Sequence, residues 1–193
     1  MNGQFLTTDE VLTVLKAARN ESSRDWAMIL LAYRHGMRAS EVCGLTMADL
    51  DMKGEAVVVR RLKGSMTTSQ PLYRHRGQPL LDEVKALGAY LKERKADGSE
   101  YLFLSQKGGC LSRVQFFRIF QHIAEAAGLP EGKRNPHILK HSLISNLVGE
   151  NVNPYLIKTA VGHRALSSTM RYMHATDQQA ASAVQEASMR MFA

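Results

Sequence analysis

The sequence predicts a mainly α fold with one small antiparallel β hairpin, an α+β arrangement. Three observations predict it. Apolar residues recur at helical spacing through most of the chain. One stretch, residues 56–72, is instead rich in β-branched residues on either side of a glycine turn. Gly36, Gly128, Gly149 and the pairs Asn135-Pro136 and Asn153-Pro154 mark the ends and beginnings of segments of helix length.

The elements follow in order. Thr7 to Glu10 reads T-x-x-E, a capping box that opens a first helix carrying Val11, Val14, Leu15 and Ala18. Trp26, Ile29, Leu30 and Tyr33 line a second helix that Gly36 ends, and a short helix runs from Ala39 to about Leu45. Residues 56–62, with Val57 and Val59 alternating, read as a strand; Gly64 turns the chain and residues 67–72 return. Residues 80–95 read as a helix with Val84, Leu87 and Leu91 on one face, and residues 102–104 as a short extended piece. Ser112 caps a helix carrying Phe116, Ile119, Phe120 and Ile123. Two helices open at Asn135-Pro136 and Asn153-Pro154. A last one, from about Asp177, sets Ala180, Ala183, Val184, Ala187 and Met191 on one narrow stripe. No internal repeat or low-complexity linker interrupts the chain.

The 193 residues are 45% hydrophobic and 22% charged, enough apolar material for one real core. Lys and Arg exceed Asp and Glu by 25 to 18, a net charge of +7 that favours a polyanionic partner through counterion release. Cys43 and Cys110 lie far apart and form no C-x-x-C pair, so both are expected as reduced, buried thiols in a cytoplasmic protein. No run of 18 apolar residues and no signal-peptide form is present, so no membrane role is expected.

The chemistry concentrates in residues 135–175. His137, Lys140, His141 and Ile144 stand at i, i+3, i+4 and i+7, one helix face. His137 and His141 imitate half a zinc site, but no H-E-x-x-H is present and no carboxylate or thiol sits nearby, so no metal is expected. No G-x-x-x-x-G-K-[ST] loop implies a nucleotide, and no cofactor is expected. His163 follows Gly162, and Tyr172 follows nine residues later.

This pattern resembles the tyrosine recombinase, or phage integrase, family over residues 6–176. Gly36-Met37-Arg38-Ala39-Ser40-Glu41 matches its G-[LM]-R-x-[SE]-E segment. Arg61-Leu62-Lys63-Gly64 matches its hairpin lysine, and His137-Ile138-Leu139-Lys140-His141 its H-x-x-R-H motif. Gly162-His163 matches its G-H pair, and Thr169-Met170-Arg171-Tyr172-Met173-His174 its T-x-x-Y-x-H. The compact length, the RLKGSMTTSQPL hairpin and the FLSQKGGCLSR stretch look most like the small Fim-type invertases, which are little more than a catalytic domain. One departure stands out: Lys140 occupies the place of the second arginine, keeping the charge but losing the planar fork.

The resemblance implies the catalytic-domain fold of that family and a division of labour. Tyr172 is the expected nucleophile, taking a 3′-phosphate. Arg38, Lys140 and His163 are the expected clamp on the phosphorane oxygens. Lys63 is the expected acid for the leaving 5′-oxygen, and His137 the expected base or hydrogen-bond partner of the tyrosine. Glu41 and His141 are expected to orient these groups. Arg60, Arg61, Arg113, Arg118, Lys133 and Arg134 are candidates for DNA backbone contact. Residues 1–176 are expected to form the catalytic domain, with no separate N-terminal core-binding domain. Residues 177–193 form an amphipathic tail helix that packs on its own core or docks on a neighbour. The expected partner is duplex DNA, with a monomer when free and a tetramer on DNA. Two other readings stay open: relaxation of DNA in the manner of a type IB topoisomerase, and a catalytically weak DNA-binding regulator kept in view by Lys140.

Overall fold

The computed structural model describes residues 5–62, 66–95, 98–173 and 177–192, without the side chains of 177–183. Helix α1 (Thr8–Glu21) opens on the expected capping box: Thr7 Oγ1 accepts from Glu10 N–H, and the Glu10 carboxylate accepts from Thr7 N–H. Ser22 caps α2 (Ser23–Arg34), whose residues from Asp25 to Tyr33 are all buried. Helix α2 is therefore the centre of the fold, wrapped by α1, α4 (Glu83–Glu93) and α6 (His137–Gly149).

Gly36, at φ 55°, stops α2 with paired bonds from Gly36 N–H to Tyr33 O and from Met37 N–H to Ala32 O. The chain reverses into α3 (Ala39–Cys43). Strands β1 (Leu50–Asp51), β2 (Ala56–Val59) and β3 (Thr68–Pro71) form an antiparallel sheet in that order, with Val57 opposite Gln70 and Val59 opposite Thr68. The strand expected over residues 56–62 stops at Val59 for a physical reason: Arg61 turns into the interior, and Leu62 N–H leaves the ladder to bond the Glu41 carboxylate. Strand β1, too short to show a period, was not expected.

The helix expected over residues 80–95 starts later. Pro79–Leu81 is a single 3-10 turn, and the Asp82 carboxylate then caps α4 through Lys85 N–H. Tyr101 and Leu104 make isolated bridges to Thr46 and Cys110, in keeping with the expected extended piece. Helix α5 (Arg113–Ala126) begins at Ser112 and ends at Gly128, φ 74°. The remaining helices are α7 (Pro154–Ala160), α8 (Ser167–Met170) and α9 (Asp177–Met191). Among the described residues no helix is long and apolar enough to cross a membrane.

One core unites these elements, with Phe103, Phe116, Phe120, Leu30 and Leu87 fully enclosed and Tyr90 stacked on Phe103. Cys43 is buried as expected, and burial, assisted by the neighbouring Cys110, pushes its thiol up to about 12. Cys110 departs from expectation. It is exposed, because it follows the surface turn before α5 and only its Sγ reaches back toward Cys43 O.

The beginning of the chain is fastened to α6. Leu6 N–H donates to buried Ser142 Oγ at 2.7 Å, and that hydroxyl donates to Ile138 O. Ser142→Ala leaves a buried N–H without a partner. It should lower the unfolding free energy by about 1–3 kcal/mol, with an unchanged urea m-value.

Candidate active site

Arg38, His163 and Tyr172 stand at or just beyond the ends of short helices, and their positions follow from how those helices begin and end. Arg38 is the N-cap residue of α3, two residues beyond the glycine that stops α2. Its Nη1 donates to Glu41 Oε1 at 2.8 Å, and its backbone N–H donates to Glu41 Oε2 at 2.9 Å. Glu41 is buried, and burial alone would raise its pKa. Donors from Arg38, Leu62 N–H and Arg61 outweigh that and hold it low, so it stays a carboxylate. The two guanidinium groups of Arg38 and Arg61 both reach this carboxylate.

Helix α7 ends as α2 does. Gly162, φ 68°, bonds Thr159 O, and His163 N–H bonds Lys158 O. This aims His163 away from α7 and toward α8, where its Nδ1 lies 3.0 Å from Thr169 Oγ1. Thr169 is fully buried and three residues before Tyr172, so one hydroxyl ties the histidine to the helix that leads into the phenol. Thr169 entered the sequence reading only as part of a motif; nothing in its type or spacing announced this contact.

On α6, Lys140 is buried, and its Nζ donates to Val161 O at 3.0 Å, just ahead of Gly162-His163. Burial, then the nearby Arg61 and Arg38, push its pKa down to about 7 despite the opposing Glu41 carboxylate. The same causes act on His163: burial first, then Lys140, Arg38, Arg61 and His141 bring it down to about 4. His163 is therefore a neutral hydrogen-bonding group at neutral pH rather than a charge. These mutual influences bring Arg38, Lys140, His141 and His163 into a single electrostatic neighbourhood.

The phenol meets a different histidine from the one expected. Tyr172 Oη lies 2.7 Å from His141 Nδ1, with the rings tilted at 50°. Burial and the neighbouring His137 and Lys140 lower the pKa of His141, while burial raises that of the phenol. His137 is exposed, one turn earlier on α6, and lines an open cleft with Ala39, Arg113, Val114 and Phe117. The expectation that His137 partners the tyrosine is thus corrected: at i+4, His141 lies one turn closer to α8. Lys63 and His174 lie outside the described residues.

Of the six basic residues expected at DNA, Arg61 is contradicted. Its side chain is fully buried, and both Nη atoms are occupied by His35 O, Gly36 O, Ala160 O and Glu41. Arg60 pairs with Asp49, Lys133 with both Glu10 oxygens, and Arg134 with Glu125. Arg113 and Arg118 are exposed on α5, with no carboxylate partner among the described residues.

The electrostatics can be checked on the free protein. An NMR titration of Lys140 should show its Nζ losing charge with a midpoint near 7. A midpoint near the ordinary lysine value, about 10.4, would mean that the amine is solvated and the site open to water.

Known proteins resemble this chain in sequence and in fold. The model of the phage integrase family matches residues 4–179. Type 1 fimbriae regulatory protein FimB of Escherichia coli K12 is 37% identical over 173 residues, covering 87% of this chain and 82% of FimB. Its companion FimE is 35% identical over 175 residues, covering 88% and 84%. The structure of the XerH site-specific recombinase bound to its difH substrate superposes with a TM-score of 0.77 at 22% identity, covering 94% of this chain and 54% of XerH. The family match spans nearly the whole sequence, and the chain belongs to the phage integrase family of tyrosine recombinases, enzymes that cleave and rejoin DNA.

Proposed function

We propose that this chain is a site-specific DNA recombinase that breaks and rejoins strands through Tyr172. The observation that carries the residue assignment is the 2.7 Å contact between the Tyr172 hydroxyl and His141, whose pKa burial and its neighbours lower, one residue from Lys140. In the proposed step, His141 takes the phenolic proton as Tyr172 Oη bonds to phosphorus. The bond from phosphorus to the 5′-oxygen breaks, and Lys63 protonates that oxygen. A 3′-phosphotyrosyl ester and a free 5′-hydroxyl result, with no change in oxidation state. Arg38 and Lys140 supply charge to the phosphorane, and His163 supplies a hydrogen bond. Rejoining is the reverse attack by a 5′-hydroxyl from another strand.

Duplex DNA is the proposed partner, a reading supported by the fold shared with XerH, a site-specific recombinase bound to its difH substrate. Arg113 and Arg118 are the leading backbone contacts. Arg60, whose guanidinium is exposed although its partner Asp49 is buried, and Arg134, paired with the exposed Glu125, join them. Residues 1–176 form the proposed catalytic unit. On α9, Val184, Met189 and Met191 are exposed, as is Phe192 just beyond. These apolar groups support docking in trans within a tetramer more than they support a monomer that relaxes supercoils.

A randomised pool of nicked duplexes tests the assignment without knowledge of the target site. The native chain should yield strands that stay attached to protein after denaturation and are released by proteolysis, whereas Tyr172→Phe should yield none. Adduct of undiminished amount in Tyr172→Phe would refute the proposed nucleophile. On a captured duplex, His141→Ala should slow cleavage by about 10²-fold or more, and His137→Ala by less.

Lys140 gives a pH dependence with a definite sign. A lysine lowered to about 7 is charged below that pH and neutral above it. In kcat/KM, which reports the free enzyme, native activity should fall as pH rises through about 7, whereas Lys140→Arg should hold its activity to higher pH.

A further inference from the structure

Arg61 stands where two helices end. Helices α2 and α7 both stop at a glycine, and both leave carbonyls beyond the reach of their own N–H groups. The Arg61 guanidinium lies between them. Nη2 donates to His35 O at 2.6 Å and Ala160 O at 3.1 Å; Nη1 donates to Gly36 O at 2.9 Å and Glu41 Oε2 at 3.2 Å. A cation there satisfies the negative ends of both helices at once. The helix ends touch as well, since a Cβ on Gly36 would meet Val161 Cγ1 at 3.0 Å. A Cβ on Gly162 would fall 2.9 Å from Arg61 Cγ, so the glycine before His163 is fitted to the Arg61 side chain. Three segments bearing proposed catalytic groups thus meet at one fork. Arg38 follows Gly36, His163 follows Ala160, and Lys63 follows Arg61 itself.

We propose that Arg61 is a positioning residue. Without touching DNA, it fixes the spacing of Arg38, His163 and the β2–β3 hairpin by binding the carboxyl ends of α2 and α7 to the Glu41 carboxylate. Lysine cannot replace it fully, because one ammonium has three donors and no planar fork to face acceptors on opposite sides. Arg61 also lies close enough to Lys140 to repel its charge, so its removal alters the titration of a residue it does not bond. The inference rests on the recombinase reading for its cleavage arm only.

The test compares native chain, Arg61→Lys and Arg61→Gln on a nicked duplex captured by the native chain. Both variants should bind the duplex within about threefold of native with an unchanged salt slope, because no phosphate contact is lost. Single-turnover adduct formation should fall by about 10²-fold in Arg61→Gln and by less in Arg61→Lys. The pH at which kcat/KM declines should move upward in Arg61→Gln, where Lys140 loses a repelling neighbour, and stay near native in Arg61→Lys. Weaker binding with a salt slope reduced by about one would make Arg61 a phosphate contact and overturn the proposal. Equal losses of binding and cleavage alongside a lower Tm, with no shift in the pH profile, would make it a merely structural residue and overturn it too. A native chain that forms no adduct with any duplex would defeat the recombinase reading instead. A second measurement then decides, as it does if the variants fail to fold. The Arg61 guanidinium protons of the native chain, followed by NMR, should exchange slowly and keep their shifts when random-sequence duplex is added. Fast exchange, or displacement by DNA, would sink the assignment.

Discussion

The carboxylate of Glu41 is the point from which the cationic site hangs. A buried carboxylate with no partners would be costly or would protonate. Here four donors converge on it: Arg38 N–H, Arg38 Nη1, Arg61 Nη1 and Leu62 N–H. Each comes from a segment that must arrive in register, so the α2–α3 reversal and the departure from β2 are fixed by the same two oxygens. The cations gathered around it would otherwise repel one another. Glu41 offsets part of that repulsion; burial first, and then the remaining repulsion, lower Lys140 to about 7 and His163 to about 4.

The DNA-free site therefore carries less charge than its residue types suggest. On the proposed reading, a phosphate bound between Arg38 and Lys140 would favour the ammonium form of Lys140 and make the site most cationic when occupied. Arginine, the residue this family usually has there, would stay charged throughout. In the proposed clamp, lysine would make the charge responsive to its occupant, at the expense of bidentate grip.

Much of the fold was legible because periodicity and caps act locally. The T-x-x-E box of α1, the glycine stops at Gly36 and Gly128, and the Pro start of α7 all stand where the sequence puts them. The errors have a common origin in long-range contacts. The strand expected through Leu62 ended at Val59 because Glu41, some twenty residues away, draws Arg61 and Leu62 inward. The motifs named the catalytic candidates, but not which histidine the phenol would meet or that Thr169 would hold His163. A basic residue beside a hairpin lysine looks like a phosphate ligand in sequence. Only the two helix ends in space reveal Arg61 as an internal group.

The contrast between the two thiols has a practical side. Cys43 is enclosed and its ionisation is pushed up to about 12, so it hardly forms the thiolate that reacts with alkylating agents. Cys110 is exposed, and these are the only two cysteines of the sequence. The unaltered protein thus offers one addressable sulfur, on the turn leading into α5. A maleimide dye attached there would report from beside the basic helix without any engineered substitution.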